Sequence, residues 1–415
     1  MFWEIWLENY RPGPAILVTA AFVGPGTVLA ASKAGAEYGF TLLWAVVFSV
    51  FTAIVLQEMA ARLGIASGNG LAQALKDSFS SVPMRIVAVT LVLAAILFGN
   101  TAYQTGNIVG AVDGINILTG LNKVAAALII AIIALAVVFV GKYSLLQWSL
   151  TFLVAVMGLV FVVAAIACWP DLKALGSGLR PNIPDQSAWI VIGLIGTTVV
   201  PYNLFLHASA SAQRYRGQDD KSAAIRNSLL DTVIAIAVGG VITASLLITA
   251  AATFEPGQLS TIRSIAEQLR PSLGDWAESF FAVGLFSAGL TSSITAPIAA
   301  GYAAAGCFGW PASLADIRLK LVASAVILSG LLAATQFGES PQEAILVAQI
   351  ANGLLLPIVA FFLLYAVNNS KLMAGKTNGW LSNTMGLVVV LITVIMAVRQ
   401  FNSVWQKIAA LWAAG

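Results

Sequence analysis

Along most of this chain, apolar residues follow one another in long runs almost free of charge, without the every-second-place alternation of a barrel wall. About 20 such residues, each rising ~1.5 Å, cross ~30 Å of hydrocarbon as a helix. Eleven runs reach that length: roughly 14–35, 39–61, 84–112, 124–141, 146–169, 188–213, 229–253, 278–305, 319–335, 342–366 and 381–399. The connections are short. The pattern predicts an all-α integral membrane protein, with residues 1–415 forming one transmembrane domain.

Two runs are interrupted near mid-depth. Span 1 reads Thr19-Ala-Ala-Phe-Val-Gly24-Pro25-Gly26-Thr27, and span 6 reads Gly196-Thr197-Thr198-Val199-Val200-Pro201-Tyr202-Asn203. Proline has no N–H to give the helix ladder, and glycine favours non-helical backbone. Each helix should therefore unwind, at Pro25 and Gly26 in one and at Pro201 in the other. Unwound backbone at that depth is tolerated only beside protein or a water-filled cavity. Two matched breaks five spans apart point to an inverted repeat, about 14–169 and about 188–366, with 381–399 as an extra helix. The breaks would then meet near the midplane.

Composition sharpens this picture. Charged residues are 9% of the chain and the apolar set 59%, with a mean hydropathy of +0.90. A soluble domain carries about 25% charge, so the surroundings must be mostly lipid. The net charge of +3 leaves no nucleic-acid footprint. Two cysteines, Cys168 and Cys307, and one histidine, His207, make neither a disulfide framework nor a histidine-rich metal centre. Glu4 and Glu8 precede any basic residue, the wrong sign for a secretory signal. Phe2, Trp3, Trp6 and Tyr10 read as an interfacial collar. With the N-terminus inside, 13 Lys and Arg fall on the cytoplasmic side and 8 outside. That bias favours a cytoplasmic N-terminus in a plasma or bacterial-type inner membrane. There is no nucleophile–base pair and no nucleotide motif, so neither enzyme chemistry nor a cofactor is expected.

Several segments together resemble the Nramp metal-ion transporters. Arg11-Pro-Gly-Pro-Ala-Ile-Leu-Val leading to Gly24-Pro-Gly-Thr27 is similar to their first span, GPGFLVS…DPGN. Leu56-Gln57 with Ala60-Ala-Arg62-Leu-Gly is similar to LQ..AARLG, and Val200-Pro-Tyr-Asn-Leu-Phe-Leu-His207 to MPHNLFLH. Ala288-Gly-Leu-Thr-Ser292-Ser-Ile-Thr295, and Gln349 with Leu356-Pro357, match further segments. The resemblance implies a LeuT-type fold of two inverted five-helix repeats plus an eleventh helix, working by alternating access. It also implies functional positions, and there the chain departs. Gly24 and Thr27 stand where the family has its metal-binding Asp and Asn, and Val200 stands in place of a Met ligand. Tyr202 replaces a proton-route His, and Asn100 and Tyr103 replace two third-span acids. Both prolines, Asn203, His207, Arg214 and Gln349 are retained.

Neutral donors remain: carbonyls near 21–24 and 196–199 and the hydroxyls of Thr27, Thr197, Thr198 and Tyr202, with Asn203 and Gln349 nearby. A bare dication wants carboxylates, sulfur or imidazole, and desolvating even one unpaired charge costs several kcal/mol. Replacing Asp by Gly24 also vacates space. The leading expectation is thus a repurposed transporter for a small anionic, zwitterionic or neutral solute, held partly by half-helix ends. The alternatives are a divalent cation carried partly hydrated, and a membrane sensor or scaffold that has lost transport. His207 is either a helix–helix hydrogen bond or a relay, Arg214 either a snorkelling anchor or, with His207, Asn100 and Tyr103, a candidate for proton coupling, and Glu58 and Glu37 are paired or interfacial charges.

Overall fold

A computed structural model of the chain describes residues 13–141, 143–168, 171–259, 261–336 and 341–414. The expected collar at Phe2, Trp3, Trp6 and Tyr10 lies outside them, as do Arg11 and Lys142 of the charge count. Every described regular element is helical.

Span 1 is two helices, Ala15–Phe22 and Pro25–Tyr38. Span 6 is likewise Ala188–Thr198 and Pro201–Arg214. In both, proline opens the second half, where its missing N–H would have been unpaired anyway. This shifts the first break slightly from its expected place. The unwound residues are Val23 and Gly24, while Pro25 and Gly26 already belong to the second half-helix.

Among the described residues, nine helical segments are long and apolar enough to cross a membrane. Two features reconcile this with eleven expected spans. The second half of span 1 runs through a 3₁₀ turn, Gly39–Leu42, into span 2, giving one segment, Pro25–Ser67. Span 5 is the helix Tyr143–Ala167, whose part with described side chains, Gly158–Ala167, is a shorter apolar helix and so stands outside the nine.

Burial sorts the spans by position. In span 6, 89% of the apolar window is buried, against 22% for span 11, Trp380–Val398. Span 6 is therefore central and span 11 peripheral. Lipid gives helices no hydrophobic reason to associate, so close backbone approach has to supply the contact. Glycine provides it. A Cβ on Gly35 would lie 2.2 Å from Leu247 O, joining span 1 to span 7. One on Gly64 would lie 2.1 Å from Ala208 O, joining span 2 to span 6. One on Gly289 would lie 2.5 Å from Ala111 N, at the crossing of spans 3 and 8.

Candidate functional site

The two breaks lie against each other. A helix leaves its last four carbonyls without intrahelical partners, and here those carbonyls collect side chains from several spans. Ala21 O accepts from Tyr103 Oη at 3.0 Å, Ser292 Oγ at 3.1 Å and Tyr202 Oη at 3.3 Å. Phe22 O accepts from the Thr27 hydroxyl. Thr27 Oγ1 and Thr197 Oγ1 are 2.7 Å apart, tying span 1 to span 6 across the breaks. Thr27 spends its single proton on Phe22 O, so Thr197 is the donor between them. Thr198 Oγ1 donates back to Leu194 O at 2.9 Å. The Tyr103 and Tyr202 rings pack with centroids 5.2 Å apart, and both residues are fully buried.

Gln349 and Asn203 frame this cluster. A Cβ on Gly26 would meet Gln349 Nε2 at 2.0 Å, and one on Gly196 would meet Gln349 O at 2.3 Å. Gln349 thus lies between the two broken helices, and only glycine lets it approach. Asn203 Nδ2 donates to Val18 O at 3.4 Å. Asn203 Oδ1 and Gln349 Oε1 are buried and have no hydrogen-bond partner among the described residues. Val200 caps the second half of span 6 and is buried.

The expectation that Gly24 vacates space is not met. A Cβ there would sit 2.8 Å from Ser292 Oγ and 3.4 Å from Tyr103 Oη. The hydroxyl of Ser292 occupies that place, with Tyr103 Oη at contact distance beside it.

The remaining sequence candidates are more scattered. His207 is buried, with Nδ1 3.1 Å from Gln57 Oε1 of span 2, a helix–helix hydrogen bond. Asn100 Nδ2 donates to Ala296 O at 3.0 Å, joining spans 3 and 8. Arg214 is exposed at the end of span 6, as an anchor would be. Glu58 pairs with Arg62 at 2.6 Å, and Arg62 also donates to Lys376 O at 2.7 Å. Glu37 accepts from Gly257 N at 3.3 Å. Sequence reasoning missed two buried acids. Asp231 accepts from Gly13 N at 3.1 Å and Ala15 N at 3.0 Å, so span 7 caps the start of span 1. Asp113 lies 3.7 Å from Lys123 Nζ. An acid inside run 229–253 was itself the visible signal, because such a group needs a partner.

Three comparisons place this arrangement. The family description "Natural resistance-associated macrophage protein-like" fits residues 15–403. The chain belongs to the Nramp family. The divalent metal cation transporter MntH of Yersinia pestis (strain Pestoides F) is 30% identical over 391 residues, covering 92% of each chain. A similarly named protein of Verminephrobacter eiseniae (strain EF01-2) is 26% identical over 404 residues, 94% of this chain and 88% of its own. Among solved structures, the Eremococcus coleocola manganese transporter, in complex with an aromatic bis-isothiourea substituted compound, superposes with a TM-score of 0.80 at 22% identity. That match covers 97% of this chain and 87% of the other. MhsT in complex with L-phenylalanine reaches 0.61 at 16% identity, over 94% and 99%. The fold is therefore the LeuT type, with two inverted five-helix repeats and an eleventh helix, and the protein is a multi-pass membrane transporter of Nramp type.

No cluster of three or more His, Cys, Asp or Glu exists among the described residues. Oxygen is what the breaks offer: carbonyls, hydroxyls and two amide side chains.

Proposed function

We propose that this Nramp-family protein carries a divalent metal cation by alternating access, the ion keeping part of its water shell. The observation that carries this reading is the pair of buried, partnerless amide oxygens, Asn203 Oδ1 and Gln349 Oε1, at the helix breaks. A buried acceptor left unpaired costs about 1–3 kcal/mol. A cation, or the water bound to it, satisfies such an oxygen; an anion does not. The relatives of 26% and 30% identity, named divalent metal cation transporters, support the same class of cargo. Retained water answers the missing carboxylates. Hard ions such as Mg²⁺ give up water reluctantly and are commonly held through it, so neutral oxygens can meet the outer shell. The 13-to-8 distribution of Lys and Arg supports a cytoplasmic N-terminus.

Uptake of Mg²⁺ and Mn²⁺ into proteoliposomes tests this directly. Flux in the wild type, cut about tenfold by Gln349→Leu, is expected for a lost ligand worth ~1.4 kcal/mol. A second reading, transport of a small non-metal solute, is favoured by the absence of any acidic or sulfur side chain at positions 24, 27, 197, 198, 200 and 202. No flux of either ion, together with flux of an amino acid or an inorganic anion, refutes the first reading and selects the second.

A further inference from the structure

Three hydroxyls from three different spans converge on one carbonyl. Tyr103 belongs to span 3, Tyr202 to span 6 and Ser292 to span 8, and all three lie within 3.3 Å of Ala21 O. A carbonyl oxygen has two lone pairs, so it cannot serve three donors fully. Of the three, Ser292 Oγ occupies the place that a Cβ on Gly24 would need, and Tyr103 Oη borders it. Gly24 itself has φ −109° and ψ −175°, extended backbone open to any residue. A side chain there would make the Ser292 hydroxyl turn aside, while the backbone itself admits any residue.

We propose that Tyr103, Tyr202 and Ser292 are specificity-determining residues, a hydroxyl clamp that closes Ala21 O to a bare ion and reads the water shell of a hydrated one. The proposal rests on the divalent-cation function above. Direct coordination needs a free carbonyl lone pair at about 2.0–2.6 Å, and the clamp occupies those lone pairs. Each hydroxyl that donates to Ala21 O keeps oxygen lone pairs of its own. Those accept from ion-bound water, which is an enhanced donor. The clamp therefore disfavours ions that shed water readily relative to Mg²⁺, which holds its shell.

The test uses the full-length protein. Mg²⁺ and Mn²⁺ affinities are measured by competition on the wild type and on Tyr103→Phe/Ser292→Ala, which removes two donors and leaves one. The Mn²⁺ to Mg²⁺ affinity ratio should rise about tenfold; a merely structural role would weaken both ions together. An unchanged ratio with both ions bound overturns this proposal alone. No binding of either ion by any variant overturns the cation function, and the clamp's role with it. A second measurement does not depend on cargo. Gly24→Ala should lower thermal stability in the wild type but not in Ser292→Ala, because the clash is with Oγ, while Cβ lies at an ordinary 3.6 Å. Additive effects in that cycle would overturn the clamp geometry whatever the protein transports.

Discussion

Removing the Asp231 carboxylate should loosen the first half of span 1 before it disturbs the rest of the bundle. Asp231 reaches from span 7 to two backbone donors, Gly13 N at 3.1 Å and Ala15 N at 3.0 Å, at the start of the helix Ala15–Phe22. That helix is only 8 residues long, too short to hold itself together. It carries Ala21 O and Phe22 O, the acceptors on which the break is built. Hydrogen bonds to a charged group contribute about 1.5–3 kcal/mol each, and a helix start favours negative charge by a further ~0.3–1 kcal/mol. These terms overlap, so Asp231→Ala should cost roughly 2–4 kcal/mol of local stability. Asp231→Asn keeps one acceptor oxygen without its charge and should lose about half. If opening is local, amide hydrogen exchange in residues 13–22 should accelerate about thirtyfold to a thousandfold in the Ala variant. Exchange in Pro25–Tyr38, beyond the break, should change far less. Unchanged exchange over 13–22 would mean that the half-helix is held by packing alone and that the cap is incidental.

The fold was legible because its signals are backbone signals. Pro25 and Pro201 each remove one N–H from an otherwise unbroken apolar run, and both breaks stand within two residues of those prolines. Charge scarcity required lipid, and span length followed from bilayer thickness. The site was legible only in part. Thr27, Thr197, Tyr202, Asn203 and Gln349 lie together as expected, but their grouping reflects the meeting of breaks, which the sequence encodes. What fills the space beside Gly24 is encoded nowhere near it: Ser292 lies 268 residues further along the chain. A glycine alone cannot tell a vacated pocket from one that a distant side chain has entered. A count of the charged and sulfur ligands in the sequence favours a non-metal cargo. The lack of partners at the buried amide oxygens of Asn203 and Gln349 becomes visible only once the helices are packed. Asp231 was missed because an acid on an apolar run declares nothing about its partner until span 1 is laid against span 7.

Three further outcomes are expected. First, cargo flux should not acidify proteoliposomes through the route suggested by the family. Asn100 has no ionisable proton, and tyrosine ordinarily loses its own only near pH 10; substrate-driven acidification that survives His207→Ala would show another proton carrier, with Asp113 the first to examine. Second, Gly35→Ala should destabilise the detergent-solubilised protein by about 1–3 kcal/mol through overpacking, because its Cβ would lie 2.2 Å from Leu247 O. Gly193→Ala, with nothing within 4 Å of the new Cβ, should be neutral or stabilising by up to ~1 kcal/mol, and equal effects at the two glycines would refute the packing argument. Third, the family's ligands cannot be restored by Gly24→Asp, Thr27→Asn and Val200→Met alone. The Cβ of the new aspartate would lie 2.8 Å from Ser292 Oγ and 3.4 Å from Tyr103 Oη, so the side chain meets groups already bonded to Ala21 O. Calorimetry should find Mn²⁺ binding by the triple variant within about tenfold of the wild type, a change under ~1.4 kcal/mol. Adding Ser292→Ala and Tyr103→Phe should then tighten it by a further tenfold or more, since both the space and a carbonyl lone pair are released. Micromolar binding by the triple variant on its own would mean that Ser292 and Tyr103 yield freely, and that three side chains alone separate this site from a manganese site.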